Sequence, residues 1–140
     1  MKMTRRDFTK TVAVAGLACA TTALGADRIL GPNQRVRLGF IGVGDRGTYL
    51  LGVALGFDTV EVPAVCDINT ARLDRALGLV EKSRGKRPVG YSAGRTDYRR
   101  LLARDDLDAV VIATPMQAHA VMSVDALNAK KHVLSEVAAA

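Results

Sequence analysis

Three glycines, Gly42, Gly44 and Gly47, sit directly behind an apolar run that ends in Phe40-Ile41. At this spacing glycines bring a backbone against a diphosphate. The first permits a tight turn, the second leaves room for a pyrophosphate, and the third lets the following helix pack closely. Asp45 and Arg46 between them would supply backbone N–H groups at a helix start, where unpaired amides favour anions. An acid follows at a fitting distance. Val60 to Cys66 reads as a second strand ending at Asp67, whose carboxylate can accept hydrogen bonds from an adenosine ribose. The chemistry is that of dinucleotide binding, with NAD as the expected ligand. Alone, the motif is weak in a chain with 13 glycines. Two other arrangements share the pattern: a βαβ unit whose glycines only serve turns, with Asp67 capping the next helix, and a methyltransferase-type first turn.

The elements that would position these residues alternate along the chain. Val36 to Ile41 reads as a buried strand. Tyr49, Leu50, Val53, Ala54 and Phe57 recur at roughly helical spacing behind the third glycine. Asn69 is placed to cap a helix whose Leu73, Ala76, Leu77 and Val80 fall at i, i+3, i+4 and i+7. Gly85 to Pro88 ends that helix, and Val89 to Tyr91 forms a short third strand. Asp97 is placed to cap a short helix with Tyr98, Leu101 and Leu102 facing inward. Behind Asp108 the run Ala109-Val110-Val111-Ile112-Ala113-Thr114 is apolar throughout, as a central parallel strand should be. Pro115 stops it. Gln117 to Ala129 is amphipathic through Ala120, Val121, Val124 and Leu127, and His132 to Leu134 reads as one more strand. Such alternation predicts a doubly wound α/β sheet of Rossmann type with right-handed crossovers.

Composition narrows the function classes. The 140 residues are 49% hydrophobic, enough for one domain with a core. The net charge of +6 is uneven: Lys2, Arg5, Arg6 and Lys10, less Asp7, carry +3 of it. Aromatics are few and none interleave with arginines, which argues against a nucleic-acid partner. Lys82, Arg84, Lys86 and Arg87 read as a solvated helix end. Of the two cysteines, Cys19 lies in the N-terminal segment and Cys66 ends a buried strand, so the latter reads as a core residue and not a nucleophile.

The N-terminus reads as an export signal. Thr4-Arg5-Arg6-Asp7-Phe8-Thr9-Lys10 resembles the twin-arginine motif, and a moderately apolar run follows, too short for a confident membrane span. Ala23-Leu24-Gly25 offers small residues at the positions a signal peptidase reads. The expected division is a signal over 1–25, a linker over 26–35 and a dinucleotide-binding domain over 36–140. The twin-arginine machinery would then be a partner, with a periplasmic or other extracytoplasmic location. That route moves folded proteins, which suits one that takes up a cytoplasmic dinucleotide before export.

From Val36 to Val137 the chain resembles the N-terminal domain of the Gfo/Idh/MocA-type oxidoreductases, the family of glucose–fructose oxidoreductase and inositol dehydrogenase. The residues that carry the likeness are Gly42-Val43-Gly44-Asp45-Arg46-Gly47, Val65-Cys66-Asp67, Asp97-Tyr98 with Leu101-Leu102, Leu107 to Pro115, His119, and Lys131-His132-Val133-Leu134-Ser135-Glu136. The resemblance implies an NAD(P)-binding domain of an enzyme that acts on sugars or polyols by hydride transfer. It implies a pyrophosphate turn at Gly42 to Gly47, and a ribose contact at Asp67 that favours NAD over NADP. Thr114 and Pro115 would line the nicotinamide-ribose side. His119 matches the family histidine behind Thr-Pro and is a candidate for catalysis or cofactor contact. Glu136 matches the acid of a Glu-Lys-Pro motif. Taken singly, His119 reads as a satisfied histidine at a helix start and Glu136 as a surface acid.

Two departures matter. Val137 stands where the family's dehydrogenases carry a lysine that polarises the reacting oxygen, and valine can donate neither proton nor charge. A Glu-Val sequence is similar to the branch that includes NAD-dependent glycoside hydrolases. There the sugar is oxidised transiently at C3, the acidified C2 proton leaves, the glycosidic bond breaks by elimination, and the hydride returns. The family also continues into a second α/β domain that supplies substrate contacts and oligomer surface. This chain is therefore expected to be the first part of a longer protein, with a carbohydrate substrate and homo-oligomerisation belonging to the whole; the remaining alternative is a non-catalytic nucleotide-binding remnant.

Overall fold

A computed structural model describes residues 35–137. The expected export signal over 1–25 and most of the expected linker lie outside the described residues, as does the stretch 138–140. Five strands and four helices alternate: β1 (Val36–Ile41), α1 (Asp45–Leu55), β2 (Val60–Cys66), α2 (Thr70–Arg84), β3 (Val89–Tyr91), α3 (Tyr98–Leu102), β4 (Ala109–Ile112), α4 (His119–Asn128) and β5 (His132–Ser135). A 3-10 turn, Met116–Ala118, leads into α4. The sheet is parallel throughout in the order β3-β2-β1-β4-β5. This is the doubly wound Rossmann order that the alternation predicts.

The central strands β1, β2 and β4 bury side chains on both faces, while the edge strands β3 and β5 stay partly exposed. On one side Phe40, Val62, Val65 and Val111 pack against Leu51 of α1 and Leu73, Ala76, Leu77 and Val80 of α2. On the other, Ile41, Ala64, Cys66, Val110 and Ile112 pack with Tyr98, Leu101 and Leu102 of α3 and Ala126 of α4. Val62 and Val65 share a face although three residues apart. The pairing explains this: between Arg37↔Glu61 and Gly39↔Ala64, β2 carries one residue more than β1. Pro63 sits in that irregularity, where a missing N–H costs the ladder least. At the opposite end of the strands, Arg37 grips Asp108 by a bidentate pair, Nη2 to Oδ1 at 2.7 Å and Nε to Oδ2 at 3.1 Å, joining the starts of β1 and β4.

The predicted strands and the second helix agree with the structure, and Asn69 caps α2 by accepting from Arg72 N at 3.1 Å. Two helix faces agree only in part or not at all. In α1 Gly47 and Leu51 are buried and the expected Leu50 and Ala54 pack partly buried against the core, while Tyr49 and Val53, and Phe57 just beyond the helix, are exposed. In α4 the buried residues are His119, Ser123 and Ala126, while Val121, Val124 and Leu127 face outward. Small residues hold part of each inward side, Gly47 in α1, where the backbone approaches Gly42 O, and Ser123 and Ala126 in α4, so a count of large apolar residues misses them. Asp97 does not cap α3 with its side chain. Its Oδ2 accepts from Ala93 N at 2.8 Å, within the preceding loop. Nor are the basic residues after α2 merely solvated. Arg84 Nη2 donates to the carbonyls of Leu55 and Phe57 at 3.1 and 2.7 Å, closing the end of α1, and Arg87 pairs with Asp74 and Glu81.

Candidate functional site

Strand order reverses between β1 and β4, and in such sheets ligands bind at the carboxyl ends of the strands beside that reversal. A cavity of about 630 Å³ lies there, lined by Gly42, Gly44, Asp67, Thr114 and Pro115 among others. Five of the sequence-predicted site residues are thus brought to one wall. Asp45, Arg46, Gly47, His119 and Glu136 surround it without lining it.

The three glycines have three different reasons. Gly42 has φ +85° and donates its N–H to Cys66 O at 2.8 Å, so the chain leaves β1 in a left-handed turn still tied to β2. Gly47 is set by packing, since a Cβ there would press into the carbonyl oxygen of Gly42. Gly44 has neither reason. Its φ is −64°, and a Cβ would meet nothing nearer than Arg72 Nη1 at 3.6 Å. The fold leaves the space over Gly44 open, which is what a pyrophosphate needs to reach the backbone. Helix α1 also starts with no side-chain cap, in contrast to α2. Its first-turn amides are the groups an anion would take. The donor set therefore fits a dinucleotide.

Asp67 is 8% exposed. Its Oδ2 accepts from Val43 N and its Oδ1 from Asn69 N, both at 2.8 Å. The carboxylate pins the glycine turn to the end of β2, a role that sequence reading did not foresee. Each oxygen retains a second lone pair for a ribose hydroxyl.

On the other side of the reversal, Thr114 and Pro115 end β4. Thr114 Cγ2 would touch a Cβ on Gly42 at 2.9 Å, so the two turns pack against each other. His119 lies behind them, 1% exposed. Its Nε2 is 2.6 Å from Thr114 O. A carbonyl only accepts, so Nε2 carries the donated hydrogen. Its Nδ1 is 3.2 Å from Ser135 Oγ, which donates to Val137 O at 2.7 Å. The ring braces the ends of β4 and β5 from within and does not face the cavity. Glu136 Oε1 accepts from Arg46 Nε at 2.6 Å, and the Arg46 guanidinium lies 5.1 Å from the centre of the Tyr49 ring. This pair ties the first turn of α1 to the end of β5.

The thiol and the phenol of the cavity wall are not set up as bases. Burial, then the charges of Asp97 and Asp67, push the Cys66 thiol up to about 12. Burial raises the Tyr98 phenol too, and its hydroxyl donates to Asp125 Oδ2 at 2.6 Å, which holds it protonated. Among the described residues no three His, Cys, Asp or Glu side chains are grouped to hold a metal. Sequence reading passed over Ile68, exposed beside Asp67, and Arg72, both of which line the cavity. Arg72 did carry a signal: it is a cation in the first turn of a helix, where the dipole disfavours one.

A parallel sheet in this order, a glycine turn open at Gly44 and an acid at the end of the second strand define a dinucleotide-binding Rossmann domain. Comparison with known proteins places it further. The profile of the Gfo/Idh/MocA oxidoreductase family, NAD-binding Rossmann fold, matches residues 36–137, and the chain belongs to that family. An alpha-N-acetylgalactosaminidase of Shewanella oneidensis is 36% identical over 151 aligned positions, covering 95% of this chain and 33% of that protein. Among solved structures, the WlbA dehydrogenase of Chromobacterium violaceum, in complex with NADH and UDP-GlcNAcA, is similar with a TM-score of 0.65 at 29% identity, over 79% of this chain and 30% of that one. The scyllo-inositol dehydrogenase of Lactobacillus casei, with bound NAD(H) and scyllo-inositol, gives 0.60 at 26% identity, over 73% and 28%. The chain spans about a third of the length of the curated relatives it matches.

Proposed function

We propose that this NAD-binding domain is the cofactor half of an exported enzyme that acts on sugars or polyols by hydride transfer. The observation that carries the cofactor part is the open backbone at Gly44, which neither φ nor packing requires. In this reading Gly42, Gly44 and Gly47, with the amides of Asp45 and Arg46, hold the pyrophosphate. Asp67 fixes the turn and takes the adenosine ribose, favouring NAD over NADP because a 2′-phosphate would meet like charge. Thr114 and Pro115 shape the nicotinamide-ribose side, His119 holds Thr114 in place, and the Arg46–Glu136 pair closes the edge. When bound, NAD supplies a hydride acceptor. Export rests on the twin-arginine pattern at Arg5-Arg6. A carbohydrate substrate rests on relatives and neighbours whose names specify an N-acetylgalactosaminide, a sugar nucleotide or an inositol.

A second reading, an NAD-dependent glycosidase working by oxidation and elimination, is favoured by Val137 in place of lysine and by the 36% identity to an alpha-N-acetylgalactosaminidase. One experiment separates the two. The protein from its native source is incubated in deuterium oxide with NAD and either free sugars or an aryl N-acetylgalactosaminide. Hydride transfer as the net reaction accumulates NADH with the free sugar. The glycosidase reading predicts aryl release with no net NADH and solvent deuterium at C2 of the product. If neither occurs, both enzymatic readings fall.

A further inference from the structure

Arg72 stands in the first turn of α2, three residues past its Asn69 cap. The amide dipoles there disfavour a cation, and α2 has no acid in that turn to offset it. Among the described residues the guanidinium has no ion-pair partner and no side-chain hydrogen bond; only the backbone N–H of Arg72 is engaged, by the cap. Yet the group has a definite place. Nη1 lies 3.6 Å from the Cβ position of Gly44, and the residue lines the cavity shared by Gly44 and Asp67. Arg95 and Arg99 also line the cavity, Arg99 paired with Asp125, but only Arg72 is placed against Gly44. Arg46 pairs with Glu136, and Arg75 reaches Thr48 Oγ1 at 3.4 Å and does not line the cavity.

Charge then needs balancing. A pyrophosphate brings two negative charges to a turn whose helix begins with Asp45 and whose neighbour is Asp67. The helix start offers only about half a positive charge. A planar guanidinium fork matches phosphate oxygens two at a time. We propose that Arg72 is a cofactor-binding residue that closes over the pyrophosphate, pairing with its oxygens from the side opposite the Gly44 backbone. This rests on the NAD-binding reading above and adds to it a side chain contributed by α2.

The test is calorimetric titration of the full chain with NADH and with ADP-ribose, which share the pyrophosphate. Arg72→Ala is expected to raise both dissociation constants by the same factor, about tenfold or more. Arg72→Lys should recover only part, because it keeps the charge and loses the fork. Arg75→Ala, the same charge change outside the cavity, should stay within about threefold of wild type. The melting temperature of Arg72→Ala should not fall, since the exposed side chain makes no hydrogen bond or ion pair among the described residues and its charge opposes the helix dipole. Equal weakening by Arg72→Ala and Arg75→Ala would reduce the effect to net charge and overturn the inference, as would an Arg72→Ala constant within about threefold of wild type. Failure of the wild-type chain to bind NADH would bring down the cofactor reading itself, and this inference with it.

Discussion

Gly44→Ala separates the two demands that a glycine turn makes, folding and ligand approach. The added methyl has room, since its nearest neighbour outside the adjoining chain is Arg72 Nη1 at 3.6 Å, and φ at −64° suits alanine. Replacing glycine at a compatible site stabilises by about 0.4–1 kcal/mol through the unfolded chain. Alanine is also a poorer helix N-cap than glycine, which offsets a similar amount. The net change in stability should be below about 1 kcal/mol, a shift of at most about 5 °C for a domain of this size. Binding should behave differently. With the pyrophosphate held as proposed, a methyl on Gly44 would stand where it meets the backbone, and a charge-assisted hydrogen bond there is worth about 1.5–3 kcal/mol. Losing one or two raises the NADH dissociation constant on the order of a hundredfold. Gly47→Ala is the counterpart. Its methyl would drive into Gly42 O, a backbone atom, so stability should fall by about 1–3 kcal/mol or more. Thermal melting and calorimetric titration of both variants suffice. Wild-type affinity in Gly44→Ala, or a melting temperature in Gly44→Ala as low as that of Gly47→Ala, would refute the assignment of the open space to the ligand.

Asp67→Asn removes the charge that a 2′-phosphate would meet; the ratio of NADPH to NADH dissociation constants should drop on the order of tenfold, and an unchanged ratio removes the ribose role. With Cys19 replaced by serine, Cys66 should resist a disulfide reagent at pH 8 in the folded protein, because its thiol is pushed up to about 12 by burial, and should react at once in concentrated denaturant. Fast labelling of the native state would contradict the buried, protonated thiol. His119→Ala should cost about 2 kcal/mol of stability, since it leaves Thr114 O without its partner and a void behind the cavity wall. A variant as stable as wild type would show that the ring is not a brace.

Much of the fold was legible because its signals are local and redundant. Ala109 to Ile112 is apolar on both faces, Asn69 precedes a clean i, i+3, i+4, i+7 pattern, and the glycine spacing fixes where β1 must turn. The face of α4 was not legible, and that of α1 only in part, through Leu50 and Ala54. In these helices Gly47, Ser123 and Ala126 pack inward, while Val53, Val121 and Leu127 stay outside. Size and hydropathy misread such a helix, since small residues hold part of its inward side. In the site, residue types located Gly44 and Asp67, but only the structure shows that Asp67 spends both oxygens on backbone amides 24 and two positions away. His119 matched a family position, yet its burial between Thr114 and Ser135 depends on contacts that no single sequence displays. Arg72 lies five positions beyond Asp67 in sequence and reaches the glycine turn only because α2 packs beside it.

In the function proposed above, the β1–α1 turn binds NAD through its pyrophosphate. Calorimetric titration of the chain with NADH, repeated in the presence of ADP-ribose, tests it most directly. One NADH is expected per chain, displaced competitively by ADP-ribose. No binding tighter than about 1 mM, the level of roughly −4 kcal/mol, in a chain shown to be folded, would contradict it.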